Sequence, residues 1–194
     1  MANDAPQDGD ERVPVVVLGM GNLLRRDEGV GIRALRRLEE RYILPPTVRL
    51  VDGGTLGLEL LSYLEGADRA LVLDAVLSDD GPGAVVQITG DDVPAYFGMR
   101  VSPHEIALPD LLAVARLRGL TPPEVVVVGI HPASIELGWE LSDIVASRLD
   151  EMVASAVAML HEWGIEVEPR SKAIAVAGHT DSDGCSLEWE ARNA

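Results

Sequence analysis

Glu28, Asp74 and His104 lie 46 and 30 residues apart, yet each stands just after a segment that reads as a strand or where a helix opens. Two carboxylates and an imidazole form a mixed oxygen and nitrogen donor set suited to a borderline divalent ion such as nickel or zinc. Three protein ligands would leave positions open for water or for a substrate's own ligands. The short zinc signatures are missing, because neither His104-Glu105 nor His161-Glu162 has a second histidine four residues on. A structural reading stands beside the metal one. Asp27 and Glu28 could complement a helix dipole, for roughly 0.3–1 kcal/mol each. Asp74 could hydrogen-bond a turn, and His104 could pair with Glu105.

These residues can meet only if the intervening chain folds back repeatedly. Val13–Leu18 is a β-branched run ending in Gly19-Met20-Gly21, a buried strand running into a tight loop. From Glu28 to Tyr42, apolar residues at Val30, Ile32, Leu35 and Leu38 follow helical spacing, and Pro45-Pro46 stops the helix. Val48–Val51 is the next strand, ended by Asp52-Gly53-Gly54-Thr55, with Thr55 placed to cap a helix through Leu58, Leu61 and Leu64. Ala70–Ala75 and Ala84–Thr89 are strands with too few residues between them for a helix, which predicts a hairpin and one antiparallel strand. Ser102-Pro103-His104 opens a helix through Arg118, Val125–Ile130 is a fifth strand, and Leu141 to Trp163 is a long amphipathic helix. Alternating strands and helices, with nearly continuous apolar strands, predict an α/β fold. Its three layers would be a mostly parallel twisted sheet of about five strands with helices on both faces. One domain over residues 13–170 is expected, between a flexible N-terminus (1–12) and a disordered tail (171–194) that loses periodicity.

In such sheets ligands bind beyond the carboxyl ends of the strands. The segments after the first three strands and the start of the helix at His104 therefore share one rim. A dinucleotide site is one alternative there, since Gly19-x-Gly21 follows a strand and Asp52 ends the next. Leu24 occupies the third glycine position, and Asp27 and Glu28 would repel a pyrophosphate at the helix start. Nucleophilic catalysis has little support: no serine sits in a Gly-x-Ser-x-Gly elbow, and the only cysteine, Cys185, lies in the polar tail. His131-Pro132 follows the fifth strand and reads as a turn.

The formal charge of −16 makes nucleic acid and anionic lipid poor partners and suits a basic or metal-bearing one. With a single cysteine, an intrachain disulfide and a cysteine-based zinc or iron–sulfur site are excluded. No secretory signal is seen at the N-terminus, and no apolar run approaches the ~18 residues of a membrane span. A cytoplasmic monomer is the expectation.

Taken together, several segments resemble the hydrogenase maturation endopeptidases, which trim the large subunits of nickel–iron hydrogenases. They are Leu18-Gly19-Met20-Gly21-Asn22-Leu23-Leu24 with Asp27-Glu28-Gly29-Val30-Gly31, Asp52-Gly53-Gly54-Thr55-Leu56-Gly57, Asp74-Ala75, Ser102-Pro103-His104 with Asp110-Leu111-Leu112, and Gly129-Ile130-His131-Pro132. The likeness covers about residues 13–168. Arg41-Tyr42-Ile43-Leu44-Pro45 is similar to the branch serving membrane-bound uptake hydrogenases. The resemblance implies removal of a C-terminal peptide from the large-subunit precursor once nickel is in place. It also implies that Glu28, Asp74 and His104 contact that nickel, supplied by the precursor. Asp27 or Asp74 would then be a candidate general base, and Gly53, Gly54 and Thr55 would shape the substrate cleft. A nickel-sensing or nickel-delivery module with the same ligands and no hydrolysis is the rival of a different class.

Overall fold

The pleat of a strand sends successive side chains to opposite faces, and the nearly continuous apolar strands have both faces covered. The computed structural model describes residues 14–90, 93 and 108–170. Within these, β1 (Val15–Met20), β3 (Val48–Gly54), β4 (Arg69–Ala75), β5 (Val85–Thr89) and β6 (Glu124–Ile130) form a five-stranded sheet in the order β3-β1-β4-β6-β5. The first four strands in that order run parallel, and β5 is antiparallel to β6. Val15 and Val17 face one core with α1 (Val30–Arg41) and the long helix Asp143–Glu162. Val16 and Leu18 face the other, with α2 (Leu61–Leu64) and α3 (Leu108–Arg118). The Asp143–Glu162 helix is α4. Each fully buried Leu or Val contributes roughly 1.5–3 kcal/mol, so this aliphatic double core carries the fold.

Two expectations are corrected. The antiparallel strand exists, but β4 and β5 form no hairpin: β6 lies between them. β4 already has β1 on one side and β6 on the other, both in parallel register, so it has no free edge for β5, which pairs with the outer edge of β6. Nor does Thr55 cap a helix. Leu56 stands at the N-cap position of a 3-10 turn, Gly57–Leu60, which leads into α2 without a side-chain cap. A small antiparallel pair, β2 (Tyr42–Ile43) with β7 (Glu168–Pro169), joins the end of α1 to the chain after α4. Among the described residues no helix is long and apolar enough to cross a membrane.

The predicted first helix begins differently as well. Arg26–Gly29 is a 3-10 turn and the α-helix starts at Val30, so Asp27 and Glu28 turn inward ahead of it. Gly31 lets this helix lie directly on the strand ends. A β-carbon there would stand 2.1 Å from the Leu73 carbonyl oxygen and 2.5 Å from that of Met20. Both obstacles are backbone and cannot rotate away. Gly31→Ala is therefore expected to cost at least ~2 kcal/mol, as overpacking does, and to lower the melting midpoint by roughly 4–8 °C. A thermal melt by circular dichroism reads this directly, and an unchanged midpoint would mean that α1 can lift off the strands freely.

Candidate active site

β1 and β4 are neighbours, and the loop leaving β1 turns back over the end of β4, which brings the first two predicted residues together. Glu28 in the 3-10 turn is 2% exposed and Asp74 near the end of β4 is 5% exposed. Both are buried carboxyl groups, and the Glu28 charge acts on Asp74. Burial is the main cause that pushes the Asp74 carboxyl up to about 7. The backbone N–H of Ala75, donating to Asp74 Oδ1 at 2.7 Å, opposes that rise, and repulsion from Glu28 adds to it. Arg25 faces Glu28, its Nε 3.1 Å from Glu28 Oε2. Gly21, at φ +122°, makes the turn that admits Glu28. A β-carbon there would lie 1.8 Å from the Glu28 carbonyl oxygen, so only glycine fits.

His104 lies outside the described residues. Among the described residues no group of three or more His, Cys, Asp or Glu side chains is placed to hold a metal ion. Glu28 and Asp74 are thus two hard oxygen donors at one rim. A buried Asp74 carboxyl whose proton affinity burial and the neighbouring Glu28 charge both raise sits in an environment that a divalent cation would relieve.

Asp27 behaves differently from its neighbour. It is fully buried, and its carboxylate accepts four hydrogen bonds from a loop more than a hundred residues away. Oδ2 receives the N–H groups of Ala133 (2.9 Å) and Ser134 (2.8 Å) and the Ser142 hydroxyl (2.8 Å), and Oδ1 receives the Ser142 N–H (2.7 Å). A carboxylate has about two lone-pair positions on each oxygen, so Oδ2 is fully used while Oδ1 carries a single donor. The Asp27 N–H in turn donates to the Ser134 carbonyl at 3.1 Å. Sequence reasoning did not find this clamp, because Ala133, Ser134 and Ser142 carry no local signal that a distant aspartate holds them.

Gly53, Gly54 and Thr55 stand on the same rim. The Gly54 carbonyl accepts the Gly21 N–H at 3.0 Å, Gly53 is buried against the Gly19 carbonyl, and Thr55 is exposed. Asp52 points to the surface, where Arg36 pairs with it at 3.1 Å. His131 serves the turn expected of it. Its Nδ1 lies 3.0 Å from the Ser78 nitrogen and 2.9 Å from the Ser78 oxygen, tying the end of β6 to the loop after β4.

Comparison with known proteins bears on this arrangement. The family model described as hydrogenase maturation protease (HycI) matches residues 32–159. A hydrogenase expression/formation protein, HupD, of Rhodobacter capsulatus is 44% identical over 155 residues, covering 79% of this chain and 74% of that protein. The hydrogenase 2 maturation protease of Escherichia coli (strain K12) is 38% identical over 157 residues, 80% of this chain and 96% of its own length. Among solved structures, the hydrogenase maturating endopeptidase HybD from E. coli superposes with a TM-score of 0.76 at 37% identity, over 80% of this chain and 97% of that one.

Proposed function

From the premise that this chain belongs to the hydrogenase maturation protease family, we propose how its two buried carboxylates take part in the reaction. The protein is a hydrolase, an endopeptidase that removes the C-terminal extension of a hydrogenase large-subunit precursor. Its likeness to HupD proteins fits the uptake branch. Glu28 and Asp74, together with His104, dock on the nickel that the precursor already carries. The metal is part of the substrate, and its presence reports that the precursor is ready to be cut.

The observation that carries this reading is the burial of Glu28 and Asp74 beside each other at the carboxyl ends of the strands, although they are 46 residues apart in the chain. A cation between them favours both carboxylates and displaces the proton that burial leaves on Asp74. Hydrolysis adds water across the scissile amide: a carbon–oxygen bond forms, the carbon–nitrogen bond breaks, and the leaving amine takes a proton. Asp74 is our candidate for the carboxylate that orients or deprotonates that water. Asp27, held by its four donors, is assigned to positioning instead. The glycine-rich turn Gly53-Gly54-Thr55 admits the extended substrate backbone beside the carboxylates. The reaction is placed in the cytoplasm, with the protein acting as a monomer that meets its precursor transiently.

The test is mass spectrometry of a cognate large-subunit precursor incubated with the protein, nickel-loaded beside nickel-free. Loss of a C-terminal peptide from the loaded precursor alone is expected. A loaded precursor that stays at full length would favour a nickel-binding module without hydrolysis, and equal cleavage of both would remove the nickel check.

A further inference from the structure

The loop between β6 and α4 presents large apolar side chains to solvent on a backbone that is held from several directions. Leu137 is 85% exposed and Trp139 67%, with Leu24 (49%) and Ile135 (37%) beside them. The Gly138 N–H donates to the Leu24 carbonyl and the Arg26 N–H donates to the Gly138 carbonyl, both at 2.9 Å, so the two segments lie edge to edge. Arg33 donates to the Trp139 carbonyl, Arg25 Nε donates to the Ile135 carbonyl at 3.1 Å, and Asp27 clamps both ends of the loop. Arg26 adopts φ +48°, a strained conformation for a side-chain-bearing residue that this bonding sustains. A cluster of exposed apolar groups on a pinned backbone is the mark of a binding surface.

Resting on the function proposed above, we infer that Leu24, Ile135, Leu137 and Trp139 form the docking surface for the folded body of the hydrogenase precursor, at an apolar recess rimmed by Lys and Arg. Three features select this partner. The patch is continuous with the active site, since Arg25 contacts both the Ile135 carbonyl and the Glu28 carboxylate. Exposed Glu136 and Glu140 flank the apolar tips, which calls for basic complements. The apolar groups project outward and so need a recess to enter, whereas an extended scissile peptide fits the glycine-lined turn. A second copy of this chain is disfavoured, because two chains of net charge −16 repel each other on approach.

The test measures binding of the nickel-loaded precursor together with kcat and KM for its processing. It compares wild type, the double variant Leu137→Ala/Trp139→Ala, the charge reversal Glu136→Lys/Glu140→Lys, and Leu117→Ala as an exposed control on α3. The double variant is expected to bind at least about tenfold more weakly, with KM raised by the same factor and kcat within about twofold, as for truncated hot-spot residues. The charge reversal is expected to slow association several-fold at low salt, and the control to match wild type. The substituted side chains are exposed, so unchanged circular dichroism should accompany the loss. Unchanged affinity and KM in both multiple variants, with wild type cutting normally, would overturn the docking assignment. So would a wild-type dimer in sedimentation that the double variant converts to monomer with precursor binding intact. Failure of the wild type to cut would count against the proposed reaction instead, and the binding measurement would still decide the surface.

Discussion

Asp74→Asn is expected to yield a protein that is more stable than wild type above neutral pH and nearly inactive on a nickel-loaded precursor. Asparagine keeps a side-chain oxygen for the Ala75 N–H and preserves the packing, while removing the charge that burial disfavours. The folded carboxyl titrates at about 7 against 3.8 in the unfolded chain. Its proton is therefore held more tightly by the folded state. The stabilisation this gives is fully present below about pH 4 and is lost as pH rises through about 7. At pH 8 the wild type has lost all of it, a deficit on the order of 2–4 kcal/mol. The asparagine variant escapes that loss, and its melting midpoint should exceed the wild type's by roughly 5–15 °C at pH 8. Near pH 4 the two should converge. Processing should fall by ~10²–10⁴, the usual contribution of a positioned acid or base. Wild-type processing should rise with pH through about 7, since docking on a cation requires the carboxylate. His104→Ala should likewise leave the precursor at full length. Melting curves at pH 4 and pH 8, beside a gel-based processing assay, test the whole set. An asparagine variant that cuts normally would remove Asp74 from the site.

The largest effect on stability should come from Asp27→Ala. Alanine leaves the N–H groups of Ala133, Ser134 and Ser142 without their acceptor in a part-buried setting, and the Ser142 hydroxyl with them. Hydrogen bonds to a charged group contribute roughly 1.5–3 kcal/mol each, and with water reaching some of the freed donors the loss is expected to be about 3–5 kcal/mol in all. A fall of that size should lower the midpoint by about 10 °C or more. Hydrogen exchange at Ala133, Ser134 and Ser142 should accelerate well beyond that of the β4 amides. Asp27→Asn separates positioning from chemistry, because its amide oxygen can retain some of the four donors. If Asp27 only positions the loop, the asparagine variant should process precursor far better than Asp74→Asn does. Equal inactivity of the two, with the loop still protected, would return Asp27 to the catalytic group.

Much of this was legible in the sequence because the strands are nearly continuous aliphatic runs, and such runs signal a sheet covered on both faces whatever its order. The five strands, the long terminal helix and the rim holding Glu28 and Asp74 follow from that pattern alone. The neighbour of β5 does not. Pairing depends on which strand edge remains open once the parallel core has formed, and no residue of Val85–Thr89 encodes that. Asp27 and Glu28 illustrate the same boundary. Both are acids at a helix start, where sequence offers the helix dipole as a sufficient reason for either. Only the fold separates a carboxylate held by a distant loop from one whose charge acts on Asp74. Thr55 has the right chemistry for a cap, yet the 3-10 turn begins beyond it, at a step that backbone geometry decides.

The placement of β6 between β4 and β5 has a consequence for how the chain is born on the ribosome. β3, β1 and β4 are complete once residue 75 has emerged, with only α1 and α2 available to cover them. The outer edge of β4 must then wait for about fifty more residues before β6 arrives, some 3–10 s at ~5–20 residues per second. During that interval Ala70–Leu73, apolar on both faces, presents an open row of amide and carbonyl groups, and β5 is already made but has no strand to join. Slowing translation between residues 90 and 124 should lengthen this vulnerable period and raise the need for chaperone shielding. Rapid passage through the same stretch should favour soluble yield.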